Sequence, residues 1–115
     1  MAHSKSCDFQ LLHELPIGSV SYCPNCESLR IEVGVLLSFV ALDSFREILF
    51  NLQIRLEQHK AGHHCEGCSD EIHIGLNNNN LFLRLNFAEF EELVTLFAIS
   101  DHMLQVNTLI QGDEL

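Results

Sequence analysis

"IEVGVLLSFVALDSFREILFNL", residues 31–52, changes its hydrophobic period partway along, and that change decides the fold. Ile31 and Val33 sit in an alternating apolar run, and Gly34, which tolerates positive φ, marks a hairpin turn. From Leu42 the spacing becomes helical. Leu42, Phe45, Leu49, Leu52 and Leu56 form one stripe, so a helix is predicted over about 42–60, with Gly62 as its stop.

A second stretch repeats this plan. "IHIGLNNNNLFLRLNFAEFEELVTLF", residues 72–97, aligns with the first once the four Asn residues 77–80 are set aside as an inserted turn. Ile31 then matches Ile72, Val33 matches Ile74, Gly34 matches Gly75 and Leu36 matches Leu81. Beyond the turn Leu42 matches Phe87, Phe45 matches Phe90, Glu47 matches Glu92 and Ile48 matches Leu93. Leu81, Leu83, Leu85 and Phe87 alternate with Phe82, Arg84 and Asn86, the pattern of a half-buried strand. Phe87, Phe90, Leu93, Val94 and Phe97 form a second helical stripe, read as a face packed on the sheet. Asn86 and Glu89 have the spacing of a capping box at the start of that helix. "GSVSYC", residues 18–23, reads as a short strand leading into the first half, and the residues after Ser100 read as a tail. The expected fold is therefore α+β: a single domain over 1–115 with internally duplicated β-β-α units, about 22–62 and 63–100, a tail at 101–115, and antiparallel sheet covered by two helices.

Each half is preceded by a C-x-x-C pair, Cys23 with Cys26 and Cys65 with Cys68. Such a turn lets two thiolates reach one ion, and two turns can complete the tetrahedron that zinc prefers. The four cysteines are thus the expected ligands of one structural zinc on small zinc-ribbon-like knuckles. The spacing between the pairs exceeds that of compact zinc ribbons, and the excess holds one hairpin and one helix. A shared ion requires both pairs to lie at the same end of the fold; otherwise each pair needs other ligands or a partner chain. His63 and His64, directly before Cys65, are the available substitutes, with His59 one helical turn further back. Cys7, with His3 nearby, has no second thiol at ligand spacing and reads as a lone thiol. The alternative function is a thiol-based redox enzyme or sensor. Thioredoxin-like pairs stand at helix N-termini, whereas strands are expected after both pairs here.

Nothing else suggests catalysis. Glu89, Glu91 and Glu92 fall on the polar side of the second helix, His73 alternates outward from Ile72 and Ile74, and Asp70 with Glu71 borders the second cysteine pair in an exposed turn. Phosphate loops, nucleophile elbows and H-E-x-x-H helices do not occur. No enzyme activity is expected.

Sixteen Asp and Glu against six Lys and Arg give a formal charge of −10, which repels nucleic acid and anionic lipid. The expected partners are a protein or a second copy of the chain, not nucleic acid or membrane. No apolar stretch approaches the roughly 20 residues of a membrane span. The first twenty residues lack the apolar core of a secretory signal, so the closing "GDEL" reads as an acidic tail rather than a retrieval address. With five cysteines and no export signal, a reducing, cytoplasmic setting is expected.

The stretches "CPNCESLRIEVG", "LDSFREIL" and "IHIGL…LRLNFAEFEELVTLF", covering most of residues 22–98, resemble a family of small uncharacterised bacterial proteins, a domain of unknown function. The resemblance implies a C-x-x-C pair before a strand and two strand-strand-helix units. It implies no catalytic residue.

Overall fold

The structure, a computed structural model, describes residues 8–62, 72–76 and 81–113. The chain runs β1 (Gln10–Leu15), β2 (Gly18–Cys23), β3 (Ser28–Val33), β4 (Leu36–Ala41), α1 (Leu42–Lys60), β5 (Ile72–Leu76), β6 (Leu81–Leu85) and α2 (Phe87–Asp113). This is the mixed α+β order anticipated, with strand-strand-helix occurring twice. An additional strand, β1, stands in front.

Strands β1 to β4 form an antiparallel meander in sequence order, and β5 pairs with β6 in a separate two-stranded sheet. Alternation along β3 buries Leu29, Ile31 and Val33 on one face, and the register carries that face across to Val20 of β2 and Val40 of β4. The two helices pack on this layer. Phe45, Leu49 and Leu52 of α1 and Phe90, Leu93, Val94 and Phe97 of α2 are buried in one core with the strand residues. The rings of Phe45 and Phe97, both fully buried, lie 5.0 Å apart between centroids and join the helices at the centre.

Turns follow from backbone chemistry. Gly34 adopts φ +62° in the β3–β4 turn, and Gly62 adopts φ +85° just beyond α1. Gly18 opens β2 for a different reason, because a Cβ there would stand 2.0 Å from the Glu32 carbonyl oxygen. Ahead of α2 the capping box forms in full. The Glu89 N–H donates to Asn86 Oδ1 at 2.8 Å, and the Asn86 N–H donates to Glu89 Oε1 at 2.9 Å.

Two regions go beyond the sequence reading. Residues 10–15 pair with β2 as an edge strand whose register shifts between Leu11 and His13. The residues expected as a tail belong instead to α2, which continues to Asp113. Ser100 does not end the helix, since its hydroxyl, fully buried, donates to the Leu96 carbonyl at 2.7 Å. No helix among the described residues is long and apolar enough to cross a membrane.

Candidate metal centre

The first cysteine pair occupies the turn between β2 and β3, at the end of the sheet where α1 begins. Cys23 is the last residue of β2 and is fully buried, whereas Cys26 is exposed. Between them Pro24 holds φ near −65°, which favours a tight curl. The Glu27 N–H donates to the Cys23 carbonyl at 2.8 Å, and Glu27 itself takes φ +54°, so the chain reverses directly into β3. The Leu42 N–H then donates to the Glu27 carbonyl at 3.2 Å, fastening the turn to the first residue of α1.

This backbone path converges on one sulfur. The backbone N–H groups of Cys26, Asp8 and Asn25 all donate to Cys23 Sγ, and the Cys26 thiol stands beside it with the two sulfurs 3.7 Å apart. Burial pushes the Cys23 thiol pKa up, but these donors outweigh it and hold the value below that of an ordinary thiol. Neither thiol is in a disulfide, and their sulfurs are in van der Waals contact. Sulfurs about 2.3 Å from one bound ion would stand at a similar spacing, about 3.8 Å.

Cys65 and Cys68 lie outside the described residues, as do Cys7, His3, His63, His64, Asp70 and Glu71. Among the described residues no three His, Cys, Asp or Glu side chains gather around one point. His59, on the last turn of α1, packs its ring 5.3 Å from that of Phe87.

The carboxylates set aside by the sequence reading have structural partners. Glu92 Oε2 accepts the Ile17 N–H at 2.9 Å, tying the β1–β2 turn to α2, and Glu91 lies 3.6 Å from Lys60 Nζ. Glu89 serves the cap. His73 is exposed between buried Ile72 and Ile74, and its carbonyl accepts from Arg55 Nη1 at 2.9 Å.

What the sequence reading missed is the N-terminal approach to Cys23. Phe9 lies between the Arg30 guanidinium, 5.3 Å from its centroid, and the Phe39 ring at 5.6 Å, which draws residues 8 and 9 across the sheet end.

A family model described as a family of unknown function matches residues 6–114. No curated protein and no solved structure matches the chain.

Proposed function

Because the chain belongs to DUF6686, a family of unknown function, its role rests on the site, and we propose a zinc-binding interaction module in which the ion is structural. The observation that carries this reading is the convergence of three backbone N–H groups on Cys23 Sγ with Cys26 Sγ 3.7 Å away. N–H donors aimed at a sulfur stabilise thiolate charge, as in thiolate-held metal centres. A tetrahedron filled by protein ligands leaves no open position for water, so the ion would organise the fold rather than catalyse. The module is cytoplasmic, and its partner is another protein or a second copy of the chain, given the net charge of −10.

Cys65 and Cys68 belong to the proposal as a second pair. With Cys23 and Cys26 they would complete the four-thiolate set of one ion; with His63 and His64 directly before them they could instead serve an ion of their own or a partner chain.

Metal analysis of protein purified without chelator tests the reading. About one zinc or more per chain is expected, and the Cys23→Ser, Cys26→Ser variant loses one equivalent. Less than about a tenth of an ion in the unsubstituted chain would falsify it.

The second reading, a thiol-based redox enzyme or sensor, is favoured by the lowered Cys23 thiol. Against it stands burial, since an attacking thiolate must meet its substrate and Cys23 is fully buried. Under this reading, alkylation with mass analysis finds a reversible Cys23–Cys26 disulfide. Under the zinc reading it finds thiols shielded until chelator is added.

A further inference from the structure

We propose that the groove between β4 and β5 binds an extended segment of a partner protein, added as a strand to the open edge of β4. The segment carries a basic side chain, then an apolar one, then an acidic one at alternate positions. This rests on the interaction-module reading above and does not involve the ion.

The edge determines the kind of occupant. Gly34 and Val35 close a two-residue turn on the Val33–Leu36 pair, and at the far end of β4 the Leu42 N–H donates to the Glu27 carbonyl. Backbone groups alternate sides along an antiparallel strand, so those of Leu36, Ser38 and Val40 face β3 and those of Leu37 and Phe39 face outward. β4 is the last strand of its sheet, and its sequence "LLSFVA" has no charge, proline or glycine to blunt it. The opposite edge, β1, has a register shift together with His13 and Glu14. An unblunted row of N–H and C=O groups is completed by another extended backbone.

The groove determines the side chains. It encloses about 440 Å³, with Phe39 on one wall, Ile74 and Gly75 of β5 on the other, and Ile48 and Leu52 of α1 as its floor. An apolar side chain fits that floor. Glu47 and Arg55 of α1 line the same groove, and the helical rise between them is about 12 Å. Glu47 is exposed and has no ion pair among the described residues, whereas Arg55 is held by the His73 carbonyl at 2.9 Å and the Phe90 ring at 5.9 Å. Strand residues i and i+4 point the same way and stand about 13 Å apart, so a cation and a carboxylate at that spacing meet both charges. α1 leads back from the end of β4, and a segment antiparallel to β4 therefore enters beside Glu47 and leaves beside Arg55. That direction puts the basic residue first.

The experiment titrates the isotope-labelled full chain with the capped heptapeptide TKTVTET and with its charge-reversed counterpart TETVTKT, followed by NMR. TKTVTET is expected to bind with a Kd below about 1 mM and at least about threefold more tightly than TETVTKT. At saturation it should slow amide hydrogen exchange at Leu37 and Phe39, the amides that point outward from β4. Glu47→Lys, at an exposed helical position, should abolish the preference between the two peptides. Equal affinity for the two peptides overturns the inference. So does binding that leaves exchange at Leu37 and Phe39 unchanged, or no binding up to about 5 mM peptide. Zinc content is measured on the same samples. Metal without peptide binding overturns this inference and spares the zinc reading, and peptide binding without metal does the reverse.

Discussion

Glu27 holds φ +54° where a side chain is unfavourable, and it does so because both its peptide groups are committed, one to the Cys23 carbonyl and one to the Leu42 N–H. A left-handed conformation costs a non-glycine residue about 1–2 kcal/mol, and glycine's greater freedom in the unfolded chain offsets about 0.5–1 kcal/mol of the gain from relieving it. Glu27→Gly is therefore expected to stabilise the protein by about 0.5–1 kcal/mol in urea denaturation, and a lower midpoint would show that the side chain has a role the backbone does not explain. Gly18 presents the opposite case, since the added methyl of Gly18→Ala meets the Glu32 carbonyl oxygen at 2.0 Å, which is backbone and cannot swing aside. A loss of about 2–3 kcal/mol is expected in the same assay. At this scale the sequence was readable where one residue does one local job: Asn86 and Glu89 form the cap their spacing implies, and Gly34 and Gly62 take the positive φ expected of them. Glu27 was not readable, because no residue type announces that its conformation is imposed by neighbours.

Elements with one clean period were legible, and those without were not. The stripes Phe45–Leu49–Leu52 and Phe90–Leu93–Val94–Phe97 are buried as their spacing requires. β1 escaped because the register shift between Leu11 and His13 breaks the alternation, leaving Leu11 exposed beside buried Leu12. α2 was read too short because Ser100 resembles a terminus, yet its hydroxyl is satisfied inside the helix. The two helices meet through contacts of unequal weight. Phe97 is fully buried against Phe45, so Phe97→Ala should cost about 3–5 kcal/mol, most of it from the cavity left behind. The Arg46–Asp101 pair, 2.9 Å apart, has an arginine side chain 45% exposed, and Asp101→Ala should cost under about 1 kcal/mol. Chemical denaturation of the two variants checks the order. Equal losses would mean that the helix pairing depends on the rim rather than the rings.

For the whole molecule, the sequence named four cysteines as ligands of one ion, and the described residues hold one of the two pairs, Cys23 and Cys26, with their sulfurs 3.7 Å apart. Cysteine spacing along the chain is blind to the packing of Phe9 against Arg30 and Phe39 beside that pair. The same architecture determines what metal removal should do. Cys23 and Cys26 sit at one end of a sheet whose core, from Val20 and Ile31 to Phe45, Phe90 and Phe97, is buried mostly by residues other than the two cysteines, of which Cys23 alone is buried. The ion should then add stability to a fold that already exists, unlike a zinc finger that has no core of its own. An ion bound at 1,000 times its dissociation constant contributes about 4 kcal/mol, and for a domain of this size 1 kcal/mol moves Tm by about 4 °C. Excess chelator should accordingly lower Tm by about 15 °C while far-UV circular dichroism at 20 °C and a single cooperative transition persist, with zinc restoring the original midpoint. Two results stand against this: a midpoint indifferent to chelator leaves the thiols no structural ion, and complete unfolding at 20 °C means that the core cannot hold the chain without one.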